Sequence, residues 1–220
     1  MIYTCYEAPD GIPTYCPDEP PPPPPADGNQ DAGNGTPILI DLDNNGFHLI
    51  GLTDAVLFDL MATGIPRYYT WTKAGERDAF LCRDRNGNGR IDNGQELFGN
   101  ATVLADGSRA SNGYEALREL DLRSHGGNED GRLTADEPRF RELCVWIDTN
   151  HNGISDPGEV LSLAQAGVVE LSYEYHESRR QDSYGNQFRY RSTAKLLNAA
   201  GKPHTSPTYD VIFRSRAQSP

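Results

Sequence analysis

The sequence is poor in basic residues, in methionine and tryptophan, and in long apolar runs. Twenty Lys and Arg stand against 32 Asp and Glu, a formal net charge of −12. A chain of that sign lacks the basic surface that nucleic-acid phosphates require. With 36% hydrophobic residues, no run approaches the ~18 apolar residues of a membrane span. There is no Gly-x-Ser-x-Gly or His-Glu-x-x-His, and the five His have no metal-ligand spacing. Glu170 and Glu174 suggest a glycosidase pair by composition alone, yet both fall on a strand that needs alternating polar residues anyway. No enzyme class is indicated. Between Ile2 and Cys16 there is neither a basic start nor an apolar run, so an export signal is absent or already removed.

The four cysteines give no zinc spacing. Cys5 and Cys16 either form a disulfide suited to an oxidising compartment or remain free thiols in a loose tail. Cys82 and Cys144 lie in apolar stretches and read as small buried hydrophobes.

What the chain does have is acid, unevenly placed. Residues 1–36 carry six acids and no base, residues 37–176 a net of −11, and residues 177–220 a net of +5. Many of the central acids sit in short Asp/Asn/Gly clusters, whose carboxylates repel one another unless a cation lies among them. The expected organisation is a Pro-rich disordered tail over 1–36, one folded domain over 37–215 and a frayed end at 216–220. The six consecutive prolines from Pro20 to Pro25 suit a stiff spacer. Strands are expected at 37–42, 47–50, 55–58, 68–71, 79–82, 168–175, 187–191 and 209–213, from β-branched and aromatic runs bounded by turn residues. Helical spacing over 113–121, 137–143 and 160–163 adds three short central helices. The expected fold class is therefore α+β, antiparallel strands with short central helices and EF-hand-like calcium loops.

Four loops carry the acids. Asp148-Thr-Asn150-His-Asn152-Gly153-Ile154-Ser-Asp156-Pro-Gly-Glu159 fits D-x-[DN]-x-[DN]-G-x5-E without a gap. That spacing brings side chains 1, 3 and 5 onto one ion. The carbonyl of Ile154, Asp156 and a bidentate Glu159 then complete an oxygen shell. In the second loop Asp84, Asn86 and Asn88 match, Arg90 supplies the carbonyl, and Glu96 closes one residue late. In the third, Asn128, Asp130, Arg132 and Glu137 match, but the first position falls on Gly126. Asp121 can stand in for it if residues 122–127 loop out. The fourth, Asp41, Asp43 and Asn45, has no closing acid, because Leu52 stands where one belongs. The alternative reading of each loop is an Asx-rich turn with no ion.

Pro-Ile-Leu-Ile-Asp-Leu-Asp, Arg-Asn-Gly-Asn-Gly-Arg-Ile-Asp-Asn-Gly-Gln-Glu-Leu-Phe-Gly, Gly-Tyr-Glu-Ala-Leu and Val-Trp-Ile-Asp-Thr-Asn-His-Asn-Gly-Ile-Ser occur here in that order. This order resembles the calcium-dependent self-processing module of Neisseria iron-regulated RTX proteins, and is similar to EF-hand proteins of the bacterial envelope. The resemblance covers roughly residues 36–176. It implies secretion or a place in the cell envelope, Ca²⁺ as cofactor and calcium-dependent folding. The module's self-cleavage at an Asp-Pro bond does not carry over, since the matching position reads Thr36-Pro37. The lone Asp-Pro, Asp156-Pro157, lies inside the best loop. The expected function is thus a non-enzymatic, calcium-binding extracellular module serving structure or adhesion, with calcium-triggered autoproteolysis as the alternative. A protein or cell-surface partner is expected to meet it. Tyr173, Tyr175, Tyr184, Phe188 and Tyr190, interleaved with Arg179, Arg180, Arg189 and Arg191, read either as such a face or as two strands with one side in the core.

Overall fold

The structure is a computed structural model of the chain. It describes residues 35–198 and 200–217 and, before them, two short strands, β1 (Tyr6–Glu7) and β2 (Pro13–Tyr15). These two pair antiparallel, Tyr6 opposite Tyr15. The proline run, the Cys5–Cys16 question and the end of the chain lie outside the described residues.

The main body opens with β3 (Ile38–Asp41), β4 (Leu49–Ile50), β5 (Val56–Phe58), β6 (Arg67–Tyr69), β7 (Trp71–Thr72) and β8 (Asp78–Cys82). The helix α1 (Gly113–Arg118) follows, then β9 (Arg132–Thr134), β10 (Cys144–Trp146), β11 (Val160–Ser162) and β12 (Val168–Ser172). The last strands are β13 (His176–Gln181), β14 (Gln187–Leu197), β15 (Pro203–Ile212) and β16 (Ser215–Arg216). A nine-stranded antiparallel sheet runs β11-β10-β8-β3-β15-β14-β12-β9, with β13 added against β14. Two small sheets, β16-β6-β5 and β4-β7, complete it.

Successive residues of a strand point to opposite faces, and here both faces of the central strands are covered. Ile38, Ile40, Ala79, Leu81 and Val145 lie in one core cluster, with Tyr114 and Leu117 of α1 and Leu120 just after it. Leu39, Phe80, Trp146, Val211 and Phe213 lie in the other, with Phe58 and Trp71. In that second cluster Trp71 meets Phe80 at 4.6 Å and Trp146 at 5.8 Å between ring centroids. Each such pair adds roughly 0.5–1.5 kcal/mol beyond its buried area.

The α+β class with EF-hand-like loops is overturned: the protein is mostly antiparallel β, with a single short α-helix among the described residues. The segment 160–163, expected as a helix, is the strand β11, because Val160, Leu161 and Ser162 complete the ladder of β10. The segment 137–143 is a 3-10 turn, Pro138–Glu142, ended by Leu143 in extended backbone. Over 113–121 the helix does start as expected, with Asn112 accepting from the Tyr114 and Glu115 N–H groups. After six residues it tightens to a 3-10 turn, Glu119–Asp121. Helices this short have little stability of their own, so the acidic loops are set by the sheet rather than by flanking helices.

Candidate metal-binding loops

The loop after β10 begins on a buried acid. Asp148 is 1% exposed, and its carboxylate accepts the Asn152 and Gly153 N–H groups at 3.1 and 2.8 Å. It also accepts the indole N–H of Trp71 at 2.7 Å, which ties the loop to the aromatic core. The Oδ1 atoms of Asn150 and Asn152 each accept the N–H two residues on. Both amide NH₂ groups donate to Asp156, at 2.8 and 2.9 Å. Those two bonds hold the Asp156 carboxyl below its ordinary range. Glu159 reaches back to accept the Thr149 and Asp156 N–H groups at 2.8 and 3.1 Å, with the Trp146 indole at 3.4 Å. Gly153 has φ +72°, and a Cβ there would stand 2.3 Å from Val56. The sharp turn and the approach to β5 both require glycine.

The loop after β8 repeats the backbone and amide bonds of this pattern, without the indoles and with one further bond, Gly87 N–H to Asp84 at 2.7 Å. Asp84 accepts the Asn88 and Gly89 N–H groups at 3.2 and 2.7 Å. Asn86 and Asn88 accept N–H two residues on and donate their amides to Asp92. Glu96 accepts from Arg85 and Asp92 at 3.0 and 2.7 Å, the same two places in the loop that Glu159 serves. The extra residue is absorbed at Gly94, where a Cβ would stand 1.8 Å from the Leu60 carbonyl oxygen. The two loops touch: the Ile91 N–H donates to Ser155 Oγ at 2.8 Å.

The third loop uses a substitute at its head. Residues 122–127 bulge out, and the fully buried Asp121 accepts the Asn128 and Asp130 N–H groups at 2.9 and 3.1 Å. Asn128 and Asp130 make the same bonds to the N–H two residues on. Glu137, 4% exposed, accepts from the Asn128 amide and from the Thr134 N–H and hydroxyl. Tyr173 donates its hydroxyl to Asp121 at 2.8 Å, and burial with that bond pushes the phenol up to about 12.

In the fourth loop Asp41, 1% exposed, accepts the Asn45 and Gly46 N–H groups at 3.3 and 2.7 Å. Asp43 pairs with Arg77 at 3.3 Å. Directly opposite Asp41 in the β3–β8 ladder stands Asp78, 2% exposed, accepting the His48 N–H at 2.7 Å. Burial, opposed by that bond and helped by the charge of Asp41, pushes the Asp78 carboxyl up to about 7.

So the structure brings each set of expected residues into one loop. Ile154, Arg90 and Arg132 have exposed side chains and offer only their carbonyls. Among the described residues no three acidic, imidazole or thiolate groups stand together at metal-ligand spacing. Each carboxylate or amide oxygen has a second lone pair, and the donors are all oxygen, which suits a hard cation such as Ca²⁺. Sequence reasoning missed Trp71, Tyr173, Ser155 and Asp78 as partners of the loops. Each reaches its loop from another strand or loop, and spacing along one segment carries no signal for such partners. Of the aromatic residues after 172, Tyr173 and Phe188 are buried and Tyr175 stacks on Tyr114 at 5.3 Å, whereas Tyr184 is 50% exposed. Arg180 lies 4.4 Å from the Phe188 ring centroid.

Comparison with known proteins agrees with the motif-based resemblance. The family model described as the SPM domain matches residues 38–214. The iron-regulated protein FrpA of Neisseria meningitidis serogroup C is 40% identical over 152 residues, 68% of this chain and 13% of FrpA. The matched segment spans about an eighth of that relative. With the family model covering nearly the whole sheet, the chain belongs to the SPM domain family.

Proposed function

We propose that this chain is a calcium-binding module of an extracellular or cell-envelope protein, with folding coupled to Ca²⁺ and a role in structure or adhesion. The observation that carries this reading is the hydrogen-bond pattern shared by loops 84–96 and 148–159, with both Asn amides on the ninth-position Asp and the closing Glu on the same two N–H groups. An Asx-rich turn has no need of a buried closing acid; a cation does. Asp148, Asn150, Asn152, the Ile154 carbonyl, Asp156 and Glu159 would hold one ion. Asp84, Asn86, Asn88, the Arg90 carbonyl and Glu96 would hold a second. Asp121, Asn128, Asp130, the Arg132 carbonyl and Glu137 would hold a third. A bound ion neutralises carboxylates that are otherwise crowded and partly buried, so its binding free energy adds to folding free energy. With amides at the third and fifth places of the first two loops, the affinity belongs in the weak extracellular range, Kd of about 10⁻⁴–10⁻³ M.

The reading is non-enzymatic. Thr36 offers no carboxylate to attack the peptide bond to Pro37, and its N–H is bound to Asn100 at 3.0 Å. The similarity to the iron-regulated FrpA supports a site of action outside the cytoplasm. No helix among the described residues is long and apolar enough to cross a membrane.

Titration of chelator-treated protein with Ca²⁺, followed by tryptophan fluorescence, tests the proposal. Both indoles donate to acids of the 148–159 loop. A saturable change that Mg²⁺ does not reproduce is expected, and Asp148→Ala with Glu159→Ala should remove most of it. A flat titration in the wild-type chain would defeat the reading.

A further inference from the structure

The 41–46 loop has the head of the repeated pattern and no closing acid within its own segment. In loops 84–96 and 148–159 the closing Glu accepts two N–H groups, one at the second place and one at the ninth. In the 41–46 loop the second-place N–H, that of Leu42, is taken by the Arg77 carbonyl, because here the loop leaves directly from the β3–β8 ladder. The carboxylate standing in the closing place is Asp78. Its Oδ2 accepts the His48 N–H at 2.7 Å, just beyond the loop. Its Oδ1 is buried and has no hydrogen-bond partner.

That oxygen keeps lone pairs with which it could ligate a cation. Asp78 is 2% exposed and Asp41 1%, and the two are register partners on one face of the ladder. Both carboxylates turn toward the 41–48 segment, since Asp41 accepts from Asn45 and Gly46 while Asp78 accepts from His48. Arg180 is the basic group whose charge acts on Asp78, but its guanidinium is spread over Phe47, Phe188 and Tyr209 at 4.4–5.6 Å and makes no ion pair with the acid. A buried carboxylate oxygen without a partner is costly, and a shared divalent ion would supply one.

We propose that Asp78 is the closing ligand of a fourth Ca²⁺ site, formed with Asp41, Asn45 and the carbonyl of Phe47, with Asp43 joining when it leaves Arg77. This rests on the reading of the other loops as calcium sites. It differs from them in joining two strands of the central sheet rather than closing one loop, so the ion would clamp β3 to β8.

Counting bound ions on the full chain by native mass spectrometry in calcium tests it. Asp78→Asn should bind one Ca²⁺ fewer than wild type, while Asp84→Asn and Asp148→Asn each lose their own. In chelator the same variant should melt higher than wild type, because the crowded charge is gone, and it should gain less on adding calcium. Should Asp78→Asn fail to fold, Asn45→Ala at its exposed position must lose that same ion. An unchanged ion count in both variants, with calcium bound at the other loops, overturns the fourth site alone. No calcium on the wild-type chain overturns the loop reading as well.

Discussion

The acids of this protein divide by what faces them. Asp148, Glu159, Glu96, Asp121 and Glu137 are buried among backbone N–H groups and indoles, whereas Asp210 is buried for another reason. It lies on β15 opposite Ile38, accepts the Gly113 N–H at 2.7 Å through Oδ2, and has the Thr36 side chain as a second hydrogen-bonding neighbour. Burial pushes its carboxyl up to about 7. The sign follows from linkage: below about pH 4 the folded and unfolded states are both protonated. From there to about 7 the unfolded acid ionises while the folded one keeps its proton, so stability falls across that window. The loss is on the order of 4 kcal/mol for a fully buried group. Asp210→Asn keeps an acceptor for Gly113 and carries no charge. We expect it to be more stable than wild type at about pH 8 and to lose much of the decline between pH 4 and 7, measured by denaturant unfolding in chelator. An unaltered pH profile would contradict this assignment.

At the scale of elements, the loops were legible and their flanks were not. Acid spacing alone identifies Asp148 to Glu159, and the bulge that delivers Asp121 follows from the mismatch at Gly126. The spacing of Tyr114, Leu117 and Leu120 identifies the start of α1, and the structure puts its cap on Asn112. By contrast, Val160 and Leu161 read equally well as helix or strand, and the choice is made by Cys144–Trp146 beside them. Local pattern cannot see that partner. Asp78 is hidden in the same way, since its loop partner is on another strand. Pairing of the loops through Ile91 and Ser155 is also a long-range fact, carried by a hydroxyl from the other loop. Ser155→Ala leaves the buried Ile91 N–H without its acceptor, at a cost of roughly 1–3 kcal/mol. We expect lower stability in chelator and weaker coupling between the first two calcium-binding steps, read by calorimetric titration. Equal stepwise constants in wild type and variant would show that the two loops act independently.

For the whole molecule, the acidic loops sit at the ends of central strands. The 41–46 loop leaves β3, the 84–96 loop β8 and the 148–159 loop β10, three neighbours in the sheet. Two cysteines meet between the same strands, Cys82 opposite Cys144 with Sγ atoms 2.8 Å apart, and burial pushes the Cys82 thiol up. Ions bound at these loops therefore act on the core ladder rather than on surface loops alone. The most direct test is thermal unfolding of the full chain across a range of free Ca²⁺ concentrations, with Mg²⁺ as control. A ligand that binds only the folded state stabilises it by about 2.7 kcal/mol at a hundredfold excess over its Kd. The expected result is a Tm that rises with the logarithm of calcium concentration, with a slope requiring several ions, and little response to magnesium. The same Tm in chelator and in millimolar calcium would contradict the account.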